Sequence, residues 1–109
     1  MIPYGRQSID DEDIQAVVDT LTSPFLTQGP AVKEFENKIS ETVGAKYAVA
    51  CNSGTSALVM ACQALGVTRG DYAWTTANSF AASANCAVLL GAKVDFVDID
   101  RCNWQTHPV

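Results

Sequence analysis

The sequence predicts an α/β fold in which N-terminal helices precede a βαβαβ run with parallel strands. Three observations predict it. Apolar residues recur at helical spacing in the first 45 positions, and from residue 46 onward short apolar strands alternate with longer apolar helical stretches. Turn residues, Thr68-Arg69-Gly70-Asp71 and later Gly91, separate them. Such alternation is the pattern of right-handed βαβ units.

Ile14, Val17, Val18 and Leu21 fall at i, i+3, i+4 and i+7, so residues 10–21 are expected to form a one-faced helix. Ser8 with Asp11 three residues on resembles a capping pattern at its start. Ser23-Pro24 ends it, because a residue before proline avoids the helical region. A loop over 24–30 follows, with breakers at both ends. Val32, Phe35, Ile39 and Val43 mark a second helix, closed by Gly44.

Residues 46–51 read as a strand and 55–65 as a helix; 72–76 form a second strand, 79–90 a helix and 93–97 a third strand. The 79–90 helix is apolar nearly all round and needs cover on both faces. Three short strands and four helices leave that cover short. Residues 101–109 have no periodicity, so the chain reads as truncated. Three stretches are expected: 1–45 helical, 46–100 α/β, and 101–109 an irregular tail.

Composition narrows the function. The 109 residues carry a net charge of −5 with seven scattered basic residues, which disfavours nucleic acid. No apolar run is long enough to span a bilayer, and the N-terminus lacks a signal-peptide core, so a cytoplasmic address is expected. Cys51, Cys62 and Cys86 sit in apolar segments and read as small buried hydrophobes; Cys102 lies beyond them. Without Cys-x-x-Cys spacing, and with His107 the single histidine, neither a disulfide framework nor a structural metal is expected.

The chemistry is expected beyond the carboxyl ends of the strands. Asn52-Ser53-Gly54-Thr55-Ser56-Ala57-Leu58 joins the first strand to a helix, whose first N–H groups lack intrahelical partners and sit at its positive end. A phosphate suits that position. Gly54 removes a Cβ from the approach, and the hydroxyls of Ser53, Thr55 and Ser56 add donors. A capped helix start without a ligand is the competing reading.

The second segment is Thr75-Thr76-Ala77-Asn78-Ser79-Phe80. Phe80, at a helix start, could stack on a flat heterocycle, although spacing alone favours a core aromatic. Asn78 reads more readily as a helix cap than as a ligand group. Asp98 and Asp100 read more readily as turn residues than as an acid pair. Dinucleotide, P-loop and nucleophile-elbow glycine motifs are absent.

With these residues in place, the chain resembles the DegT/DnrJ/EryC1/StrS family of pyridoxal-phosphate-dependent sugar aminotransferases. The resemblance runs from Ile2 to about Asp100. It includes Ile2-Pro3-Tyr4-Gly5-Arg6-Gln7-Ser8, Leu26-Thr27-Gln28-Gly29-Pro30, the Asn52 to Leu58 motif, Trp74-Thr75-Thr76-Ala77-Asn78-Ser79-Phe80 and Val94-Asp95-Phe96-Val97-Asp98-Ile99-Asp100. The nearest branch acts on UDP-4-keto-6-deoxy-HexNAc sugars in pseudaminic acid synthesis.

The resemblance implies part of a fold-type I transferase large domain and a homodimer with active sites at the subunit interface. It implies pyridoxal 5′-phosphate held by Gly54, Thr55 and Ser56, with Phe80 stacked on its ring. Tyr4, Pro24, Phe25, Leu26 and Thr27 would line the nucleotide-sugar site, which places a substrate loop in 1–45 and a partial cofactor domain in 46–100. A UDP-linked keto sugar and an amino donor such as glutamate would be the partners, the sugar C4 ketone being aminated. The family's Schiff-base lysine and pyridine-pairing aspartate would lie beyond Val109. None of Lys33, Lys38, Lys46 and Lys93 takes the lysine's place, so no catalytic residue is nominated and the isolated chain is expected to be inactive. A non-catalytic remnant, or a partial cofactor- or nucleotide-binding module, is the alternative.

Overall fold

A computed structural model of the chain describes residues 5–100 and residue 102. The chain divides into two compact units, Met1–Ala50 and Cys51–Val109.

The first unit holds two helices. Helix α1 spans Asp11–Thr22, and its N-cap is Asp10 rather than Ser8. Asp10 takes an extended backbone, and its carboxylate accepts from the N–H groups of Glu12 and Asp13, each at 3.0 Å. Asp13 returns the bond by accepting from the Asp10 N–H at 3.1 Å. This is a capping box built from two aspartates, and three acidic residues in the first turn suit the positive end of the helix. Ser23, extended at ψ 159°, stops the helix before Pro24.

Helix α2 spans Pro30–Val43. Proline at its first position loses no intrahelical bond. Gly44 ends it in the left-handed region (φ 67°), where a Cβ would be strained.

No strand forms at 46–51, contrary to the sequence pattern. An apolar run becomes a strand only with a ladder to pair with, and the sheet here has two strands drawn from further along the chain. Part of this stretch is held by a side chain instead: the Ala50 N–H donates to Glu36 Oε1 at 3.0 Å. Cys51, expected to be buried in that strand, is accordingly exposed.

The second unit is built on one βαβ motif. Helix α3 spans Gly54–Ala64, strand β1 Tyr72–Thr76, helix α4 Ala82–Leu89 and strand β2 Lys93–Val97. The strands pair in parallel, with Tyr72 opposite Lys93 and Thr76 opposite Val97. Helix α4 packs on both strands and against α3. Ala82, Cys86, Ala87 and Ala92 form the buried core, and their small side chains let α4 lie close to the sheet.

Helix α4 begins at Ala82, not at residue 79. No side chain caps its first turn. Ser79 instead places its hydroxyl 2.9 Å from that of Ser83, while the Ser83 N–H donates to the Phe80 carbonyl at 2.9 Å. Phe80 therefore precedes the helix. Among the described residues no helix is long and apolar enough to cross a membrane.

Candidate functional site

The N-terminus of α3 is organised by its own side chains. Ser53 is extended (φ −161°, ψ 157°), and its hydroxyl oxygen accepts from the Ser56 N–H at 3.1 Å. The Ser56 hydroxyl donates to Asn52 Oδ1 at 2.7 Å. Ser53 and Ser56 hydroxyls lie 3.0 Å apart. A serine hydroxyl has one proton, and that of Ser56 is given to Asn52, so Ser53 donates to Ser56. Asn52 heads the sequence motif, but its part in this relay depends on a side-chain orientation that residue types do not specify.

This leaves a defined set of groups pointing at solvent. Among the described residues, nothing accepts from the N–H groups of Gly54 and Thr55, and the Thr55 hydroxyl has no partner. A Cβ added at Gly54 would meet nothing within 4 Å, so the approach to these donors is open from the protein side. Two free backbone donors and a hydroxyl at the positive end of a helix fit a phosphate group. Ser56 fits less simply, because its N–H and its hydroxyl proton are both engaged within the turn.

Close to the carboxyl end of β1 lies a cavity of about 310 Å³. Thr75, Thr76, Phe80, Ser83, Asn85 and Phe96 are among its walls. Phe80 is 77 % exposed, so it is no core aromatic among the described residues; its ring is available to a flat ligand. Asn85 and Phe96 were not singled out from the sequence. The available signal for Asn85 was a polar side chain inside an otherwise apolar helical run. The Ser53 to Ser56 turn does not line this cavity, although both belong to the same compact unit.

The aspartates after β2 serve the backbone. Asp98 accepts from the Ile99 N–H at 2.8 Å, and Asp100 accepts from the Cys102 N–H at 2.7 Å. Turn formation accounts for these bonds.

Pro24, Phe25, Leu26 and Thr27 form the connector between α1 and α2, in the first unit. The Ser23 hydroxyl donates to the Phe25 carbonyl at 3.0 Å. A Cβ at Gly29 would fall 2.7 Å from that same carbonyl oxygen, so glycine is required for the loop to close on itself. Phe25 and Leu26 project outward, both well exposed. Tyr4 lies outside the described residues.

No lysine lines the cavity. Lys33 pairs with Glu36 at 3.7 Å, Lys46 lies 5.2 Å from the Tyr47 ring centroid, and Lys93 lies 5.3 Å from that of Tyr72.

The model of the DegT/DnrJ/EryC1/StrS aminotransferase family matches residues 7–109. The UDP-4-amino-4,6-dideoxy-N-acetyl-beta-L-altrosamine transaminase of Campylobacter jejuni is 46 % identical over 99 residues, 91 % of this chain and 26 % of that protein. The spore coat polysaccharide biosynthesis protein SpsC of Bacillus subtilis is 42 % identical over 108 residues, 99 % of this chain and 28 % of that protein. Among solved structures, the PLP form of Spr1654 from Streptococcus pneumoniae, assigned as a sugar aminotransferase, superposes with a TM-score of 0.90 at 33 % identity. That superposition covers 96 % of this chain and 27 % of the other. The chain thus spans about a quarter of the length of the relatives it matches.

Proposed function

Because the chain belongs to the DegT/DnrJ/EryC1/StrS aminotransferase family, we propose that it supplies the phosphate cradle and ring-stacking face of a pyridoxal-phosphate-dependent sugar aminotransferase. The reaction is amination of the C4 ketone of a UDP-linked 4-keto-6-deoxy amino sugar, with a donor such as glutamate. The observation that carries this reading is the pair of unaccepted N–H groups at Gly54 and Thr55, at the capped start of α3. Bound pyridoxal phosphate supplies an electron sink for amino transfer.

Each residue has a limited task. The N–H groups of Gly54 and Thr55 and the Thr55 hydroxyl hold the phosphate. Ser53 and Asn52 keep Ser56 turned inward, so that Ser56 shapes the cradle. Phe80 offers its face to the cofactor ring from the cavity wall. Pro24, Phe25, Leu26, Thr27 and Tyr4 contact the nucleotide sugar, and a second copy of the chain completes a dimeric site. None of the four lysines lines the cavity, so the 109-residue chain alone turns nothing over.

Titration of the chain with pyridoxal phosphate, followed by amide resonances, tests the reading. Shifts centred on Gly54, Thr55 and Phe80 are expected, and Thr55→Ala should weaken binding by roughly fivefold, the worth of about one hydrogen bond. Shifts confined to other residues would overturn the assignment. Amination of the UDP-linked ketone by purified chain would overturn the claim of inactivity.

A further inference from the structure

Two cysteines outside the candidate site face each other. Cys62 on α3 places its Sγ 3.7 Å from that of Cys86 on α4. The two thiols form a directional chain: Cys62 donates to Cys86, and Cys86 donates to the Ser83 carbonyl at 3.4 Å. Cys86 is one of the few buried side chains of the unit, whereas Cys62 is partly open to solvent. The other two cysteines, Cys51 and Cys102, are exposed and have no neighbouring thiol among the described residues.

We propose that Cys62 and Cys86 form a thiol–disulfide exchange site that takes low-molecular-weight disulfides and closes a covalent link between α3 and α4. A disulfide needs sulfurs about 2.0 Å apart. The thiols already touch at 3.7 Å, and closure draws on side-chain rotation with small backbone shifts for the remaining approach. Entry is through Cys62, because Cys86 is shielded. The Cys62 thiolate attacks one sulfur of the incoming disulfide; that S–S bond breaks and one small thiolate leaves, taking up a proton. The Cys86 thiolate then attacks the Cys62 sulfur of the mixed disulfide and expels the second small thiolate. The protein loses two protons and two electrons, and the small disulfide is reduced to two thiols.

The direction of proton affinity agrees with Cys62 at rest as a thiol. The bond to Cys86 holds the Cys62 thiol above its ordinary value, aided by burial and by the nearby Cys86 charge. Exchange therefore draws on a small thiolate fraction at Cys62 and quickens as pH rises. Because α3 begins at the phosphate turn and α4 follows Phe80, the link would tie together the two helices next to those features. The inference does not depend on the proposed function.

The test uses the Cys51→Ser, Cys102→Ser chain, which retains only this pair. Incubation with oxidised and reduced glutathione buffers is followed by intact mass, in native buffer and in concentrated urea. The expected product in native buffer is a chain short of two hydrogens with no glutathione attached. The expected equilibrium constant for closure is about tenfold or more above that in urea, where the pair is not held together. Stable attachment of glutathione without closure would overturn the proposal. So would equal closure in both solvents, which would mean that the folded geometry contributes nothing. Adding Cys86→Ser should convert the product to a mixed disulfide on Cys62; loss of reaction at Cys62 there would place the entry point elsewhere and overturn the mechanism.

Discussion

At the scale of single residues, caps carry sharp consequences. Asp10 accepts from two N–H groups of α1, and its own N–H donates in return to Asp13 Oδ2. Asp10→Ala should destabilise α1 by about 0.5–2 kcal/mol, read as a lower urea midpoint for the helical signal. Ser8→Ala should leave that midpoint unchanged, and the comparison separates the observed cap from the one the sequence template favoured. That template looks for a serine or threonine followed by an acidic residue; a box of two aspartates satisfies the same donors without matching it. Gly44→Ala places a Cβ at φ 67° and should cost about 1 kcal/mol, measured the same way. The turn from Asn52 to Ser56 was more legible. Its residue types state which donors exist, but only the oriented side chains show that Ser56 is spoken for and that Gly54 and Thr55 are not.

Among elements, the strands and helices of the second unit were readable because apolar runs and turn residues bound them closely. Strands β1 and β2 fall on the predicted residues. The stretch at 46–51 has the same apolar character and forms no strand, because composition specifies a strand's faces but not its hydrogen-bonding partner. Helix α4 starts late for a related reason: apolar content ran back to residue 79, but nothing caps a turn there. The packing of α4 gives its own prediction. Ala87 is 1 % exposed, between the helix and the elements that it covers. Ala87→Leu should destabilise the second unit by about 1–3 kcal/mol through overpacking, seen as a lower midpoint of its unfolding transition. Val88→Ala, on the exposed side of the same helix, should change it far less.

Over the molecule as a whole, apolar patterning outruns burial. Ile14, Val17, Leu21 and Phe35 are all exposed, despite spacing that marks them as interior residues, and so are Leu65 and Phe96. Periodicity reported which side of each element is apolar, and could not report what lies against it. An apolar surface of this kind promotes association, so sedimentation velocity of the 109-residue chain should show a mean size that grows with concentration. A concentration-independent monomer would show that these faces find cover within the chain. The parallel register has a consequence for deuterium exchange. Lys93 donates its N–H to the Asp71 carbonyl at 2.9 Å, which sets the alternation along both strands: Ala73, Thr75 and Asp95 turn their N–H groups into the ladder, whereas Tyr72, Trp74 and Val94 turn theirs away. Among the described residues the outward amides of Tyr72 and Trp74 have no acceptor in the ladder, whereas that of Phe96 on β2 donates to Asp95 Oδ1 at 2.9 Å, so solvent deuterons should label β1 in alternation, fast and slow, residue by residue.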